Sequence, residues 1–153
     1  MRGGGSGVDV ASGTTEVCWV TGKDSPVHTG SRAAVSATDL GILWDAGDSG
    51  VLVAFGDSYG TGWCGHGAGP RHADWRCNVL ARAPLTEPSD RLMLGSWVED
   101  APGHAAQVLP RDPDAREETV IPTARDVGAL LARPGAVDDE LRGAVVVHRR
   151  GHR

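Results

Sequence analysis

The sequence predicts an all-β fold, and three observations carry that expectation. Short apolar runs rich in Val, Ile, Leu and Trp recur at fairly even spacing and are broken by turn residues. Gly at 22 and Pro at 9 of 153 residues make about a fifth of the chain turn-forming. Pro102, Pro110 and Pro113 forbid a helix through the second half of the main body. Periodicity alone leaves a sandwich, a barrel and a propeller open.

The chain opens on Met-Arg-Gly-Gly-Gly-Ser-Gly, so residues 1–15 read as a flexible N-terminus without the apolar core of a secretory signal. A first short strand is expected over Glu16 to Val20, followed by turns at Gly22, Pro26 and Gly30. The second centres on Thr38 to Trp44. Asp45-Ala-Gly-Asp-Ser-Gly50 then separates Gly41-Ile-Leu-Trp44 from Val51-Leu-Val-Ala-Phe55, which predicts a β-hairpin with a loop longer than two residues. Ser58 to Ala73 is a glycine-rich loop, and loops of that length in a compact domain are functional or mobile. Strand character resumes from Trp75 to Arg82, and returns over Leu92 to Val98 and Thr119 to Ile121.

Composition excludes several functions. The formal net charge is -5, so the basic footprint of a nucleic-acid-binding surface is missing and no nucleic-acid partner is expected. No window approaches the roughly 18 consecutive apolar residues of a membrane span. Lys23 is the only lysine beside 14 arginines, a skew that GC-rich coding explains. Cys18, Cys64 and Cys77 fit no zinc spacing, so neither metal nor cofactor is expected; a Cys64–Cys77 bridge and buried free thiols are both open.

The candidate chemistry lies at the hairpin. Asp39 precedes its first strand and Asp57 follows its second, and antiparallel pairing brings those two ends to the same edge of the sheet. Neighbouring carboxylates are what glycoside hydrolysis requires, one protonated and one ionised. Asp at strand ends also caps turns, a reading that fits Asp45 and Asp48 best. Trp75-Arg-Cys-Asn78 offers an aromatic face, a guanidinium and an amide suited to a sugar ring, and strict alternation would put Trp75 and Cys77 on one face and Arg76 and Asn78 on the other. Asp74 is expected to pair with Arg76. His104, in Pro-Gly-His-Ala, is a candidate ligand contact or a solvent-facing turn residue.

Six collinear segments carry a family resemblance: residues 21–26, 38–45, 51–60, 74–82, 102–105 and 119–123. On these, residues 16–124 resemble the actinobacterial five-bladed β-propeller glycoside hydrolases that include endo-D-arabinanases, a family long described only as a domain of unknown function. The resemblance implies secretion or cell-wall association, hydrolysis of D-arabinofuranose chains in mycobacterial-type cell walls, and acid/base roles for Asp39 and Asp57. It implies substrate contacts at Trp75, Arg76, Asn78 and His104. Tyr59 stands where the family usually has Phe, and Cys77 where it usually has Ser.

A five-bladed propeller of four-stranded blades needs about twice this chain or more, so the resemblance implies a partial β-propeller of about the first two blades, inactive by itself. Residues 125–153 lack family sequence and carry six arginines against four acids. A one-nucleotide forward shift in their back-translation restores two words resembling later family motifs, which predicts an irregular, frameshifted tail. Two alternatives stand beside the truncated hydrolase: a non-catalytic cell-wall carbohydrate-binding module using Trp63 and Trp75, or a product without function. Beside the secretion that the resemblance implies, the expectation for a sequence in which no secretory signal is read is a cytoplasmic location.

Overall fold

A computed structural model describes residues 17–84, 91–114, 116–126 and 144–151. Nearly all regular structure in it is antiparallel β-sheet, as the turn-punctuated apolar runs predict. The centre is a four-stranded sheet made of β2 (Gly41–Asp45), β3 (Val51–Phe55), β6 (Val79–Ala83) and β7 (Ser96–Trp97), in that order. This meander is the layout of one propeller blade. Beside it, β1 (Ala37–Thr38), β4 (Ser58–Tyr59) and β5 (Trp75–Arg76) form a small three-stranded sheet. Two further pairs are β8 (Glu99–Ala101) with β9 (His104–Ala105), and β10 (Glu117–Asp126) with β11 (Ala144–Gly151). A single-turn helix, α1 (Thr29–Arg32), precedes them all.

The hairpin forms where the sequence places it. Trp44 pairs with Leu52 and Gly41 with Phe55, and the connection winds through a 3-10 turn over Gly47–Ser49. Asp45 caps that turn by accepting the Gly47 amide at 2.8 Å, and Gly47 adopts φ 63, which a side chain would strain. Strand β3 is an unbroken apolar run because both its faces are covered. Val53 and Phe55 pack with Val79, Ala81, Val35, Leu94 and Ala105, while Leu52 and Ala54 pack with Trp44 and Leu80 on the other side.

Elsewhere the structure departs from expectation. Residues 17–20 form no strand: the Val20 carbonyl accepts the Ser25 hydroxyl at 2.9 Å instead of a neighbouring strand, and Trp19 is 61% exposed. Leu92 to Val98 contracts to β7, because Leu94 turns into the core while only isolated bonds, such as Val98 N–H to Leu80 O at 3.0 Å, extend the pairing. Thr119 to Ile121 lengthens into β10, with Pro122 tolerated beside a register shift. In the tail, Ala144–Gly151 is a strand, on the one stretch with apolar alternation. Residues 1–15 lie outside the described residues.

The alternation expected over residues 75–78 also fails. Trp75 is half-buried, but Arg76, Cys77 and Asn78 are buried in succession, because the chain leaves the small sheet after β5 and enters the large one at β6. At that crossing Asn78, fully buried, spends its entire amide on the protein. Its Nδ2 donates to the carbonyls of Leu109 and Val120, each at 2.9 Å, and its Oδ1 accepts the amides of Val108 at 3.1 Å and Leu109 at 2.7 Å. Replacing Asn78 with Ala leaves these backbone groups without a partner, and each buried orphan costs about 1–3 kcal/mol. We expect Asn78→Ala to lower unfolding stability by about 3 kcal/mol or more, read from urea denaturation midpoints; a loss below about 1 kcal/mol would show that water replaces the amide.

Candidate carboxylate site

The two aspartates meet as antiparallel pairing requires. Between β1 and β2, the Asp39 amide donates to the Asp57 carbonyl at 2.9 Å, and the Gly56 amide donates back to the Asp39 carbonyl at 3.1 Å. The link runs through a distorted stretch in which Leu40 holds φ 46, a left-handed conformation uncommon outside glycine. Gly56 lets the Asp39 carboxyl come close: a Cβ there would strike Asp39 Oδ1 and lie 3.0 Å from Ile121 Cγ2, so any side chain would push the carboxyl aside. The Asp39 carboxyl therefore rests against the backbone, although the residue as a whole is exposed.

That placement sets the electrostatics. Partial burial and then the charge of Asp57 push the Asp39 pKa above its ordinary value, against a smaller opposing contribution from the Asp57 amide. Asp57 Oδ1 accepts the hydroxyl of Thr119 at 2.8 Å, from β10. Tyr59 is raised as well, by burial, Asp57 and Asp39 in that order, so its phenol shares the surroundings of both carboxyls. Burial raises the Cys77 thiol, and Cys77 is inert packing; Cys64 is exposed, and neither is bridged.

Tyr59 and Trp75 are direct partners across β4 and β5. As directly opposed residues they share a face of the small sheet, with Tyr59 two residues beyond Asp57. Trp63 stacks on Tyr59 with centroids 5.1 Å apart, and the Arg111 guanidinium lies 5.3 Å above the Trp75 ring. The anticipated Trp75 thus stands on the Tyr59 surface.

Arg76 and His104 fall elsewhere. Arg76 forms the expected ion pair with Asp74 at 3.0 Å and donates to the carbonyls of Ala105 at 2.8 Å and Ala34 at 2.6 Å, so its charge is spent on the framework. His104 is neither a free turn residue nor at the carboxylate pair: its Nδ1 meets Asp100 at 2.6 Å and its Nε2 meets Asp74 at 3.3 Å. The hydrogen bond to His104 draws the Asp100 pKa down. Asn78 has no polar atom left for a ligand. Thr119 and Tyr59 enter the site unforeseen. Thr119 lies 62 residues from its partner, beyond any local pattern, whereas Tyr59 was readable as the residue two beyond Asp57.

Among the described residues no cluster of His, Cys, Asp and Glu is arranged to hold a metal ion, and no helix is long and apolar enough to cross a membrane. A family model described as "Domain of unknown function (DUF4185)" matches residues 24–126, a span that contains every side chain of the site. No curated protein matches the chain.

The raised Asp39 pKa has a defined sign. A carboxyl whose folded-state pKa lies above 3.8 stabilises the fold below that value, and loses the contribution as pH rises through the folded pKa. Asp39→Asn removes the repulsion, so its melting temperature should exceed the parent's at pH 7, with the gain fading at pH 3. In parallel, carboxyl NMR titration should show Asp39 returning toward the ordinary aspartate range in Asp57→Asn; an unchanged Asp39 midpoint would mean that burial alone sets it.

Proposed function

We propose, from the premise that the chain belongs to the DUF4185 family, that Asp39 and Asp57 are the acid/base pair of a glycoside hydrolase acting on D-arabinofuranose chains of a cell-wall polysaccharide. One observation carries the reading: main-chain hydrogen bonds from Asp39 to Asp57 and from Gly56 back to Asp39 hold the two carboxylate-bearing residues side by side. Cleaving a glycosidic bond needs a proton for the leaving oxygen and a carboxylate to activate water or to attack the anomeric carbon. Asp39, pushed toward its protonated form, suits the first role. Asp57, whose charge adds to the effect of burial on Asp39 and whose Oδ1 is oriented by Thr119, suits the second. The substrate class, and a site of action at the cell wall, rest on the resemblance of residues 38–45, 51–60 and 74–82 to the arabinanases.

The stacked Tyr59 and Trp63 favour a second reading, a carbohydrate-binding module without turnover. A partial propeller supplies only part of a substrate groove, so the expected rate is low, because acid/base catalysis depends on rigid positioning of the substrate. The test is reducing-end release from a soluble D-arabinofuranose polysaccharide over long incubations. Hydrolysis by the parent should fall about 100-fold or more in Asp39→Asn and in Asp57→Asn. Hydrolysis persisting in both variants would defeat the acid/base assignment, and binding without any hydrolysis by the parent would establish the module instead.

A further inference from the structure

Besides the carboxylates, the strongest unassigned feature is a row of planar side chains beside them. Along one face of the small sheet, Trp63 stacks on Tyr59, Tyr59 stands opposite Trp75 in register, and Arg111 covers Trp75. The row runs across the strands, two residues, or about 7 Å, from the position of Asp57. That offset is of the order of one sugar unit.

The row is preorganised by the glycine-rich loop. Trp63 Nε1 donates to the Gly67 carbonyl at 3.0 Å, and a Cβ on Gly69 would lie 2.9 Å from Trp63 Cδ1. The loop backbone therefore lies against the edge of the indole, an approach that glycine alone permits. Gly69 also holds φ 73, which L residues rarely adopt. A ring fixed before binding loses little conformational freedom when a ligand arrives. Its chemistry is amphipathic: the face of Trp63 turned away from Tyr59 suits the C–H side of a sugar, while Arg111, exposed over Trp75 and donating through Nη1 to the Glu118 carbonyl at 3.4 Å, has further N–H groups for hydroxyls.

We propose that Trp63, Tyr59, Trp75 and Arg111 form a binding platform for the sugar adjoining the bond presented to Asp39 and Asp57, so that the protein grips a chain and not a single sugar. The platform rests on the glycan reading above but does not require turnover. It accounts for a long loop whose glycines the carboxylate pair leaves unexplained.

The test is calorimetric titration of the full chain carrying Asp39→Asn, to suppress hydrolysis, with a soluble D-arabinofuranose polysaccharide and with dextran as comparator. The arabinofuranose polymer should bind, and Trp63→Ala should weaken binding by about tenfold or more, with Trp63→Phe recovering most of the loss. Arg111→Ala, on an exposed side chain, should weaken it severalfold and covers the case in which a Trp63 variant fails to fold. Free arabinose should bind far more weakly than the polymer. Binding unaffected by both Trp63→Ala and Arg111→Ala, or no binding of the polymer at all, would overturn the platform. Binding that depends on Trp63 in a parent protein without hydrolysis would uphold the platform and defeat only the catalytic reading.

Discussion

The side-chain amide of Asn78 is the constraint on which the arrangement depends. Among the described residues, its bonds tie the start of β6 to the backbone at Val108 and Leu109 and to Val120 in the middle of β10. Thr119, the neighbour of Val120, reaches Asp57 from this anchored stretch of β10. Two residues earlier, Arg76 does the corresponding work for the small sheet, joining β5 to Ala34 and to Ala105 through its guanidinium. A buried polar group is costly unless its partners are in place, so Asn78, with both amide atoms bonded, is an all-or-none joint, whereas Arg76 bonds through its two terminal nitrogens and leaves Nε without a partner among the described residues. Apolar packing would permit several angles between the sheets, whereas the directional bonds of Asn78 specify one.

Much of this was legible where the determinant is local. The β2–β3 hairpin follows from two apolar runs around an Asp- and Gly-rich turn, and the meeting of Asp39 with Asp57 follows from antiparallel geometry alone. The motif at residues 74–78 was harder. Trp, Arg and Asn in succession suit a sugar site chemically, yet only Trp75 retains a surface, because the crossing between sheets breaks the two-residue period. His104 was legible as polar and turn-adjacent, but the two carboxylates that grip it come from Asp74 and Asp100, and the nearer of these sits across a hairpin whose strands are too short to announce themselves. The first expected strand failed for a similar reason, since a side chain, Ser25, outcompetes a strand for the Val20 carbonyl.

Two sets of acids in this small protein have opposite environments. At Asp74 and Asp100, positive or donating neighbours meet each carboxylate, and Asp100 is drawn toward the charged form. At Asp39 burial, and then the charge of a neighbouring acid, drive the carboxyl toward the neutral form. The first arrangement stabilises what it connects, whereas the second costs stability at neutral pH and persists only because the surrounding backbone holds it. Such a cost is characteristic of residues arranged for chemistry, where a group must be poised between protonation states.

The 62-residue interval between Asp57 and Thr119 also bears on the order of events during synthesis. The hairpin that brings the two carboxylates together is local and can close as soon as Asp57 has left the ribosome, since short-range contacts need little chain entropy. The hydroxyl that orients Asp57, and the Val120 carbonyl that completes the Asn78 joint, arrive only when β10 has been translated. Until then the nascent chain carries mutually repelling charges beside an uncovered buried amide. Commitment to the native arrangement is thereby deferred to the last third of the main body, and a pause or stall before codon 119 would leave on the ribosome a chain with its acids paired but not yet locked.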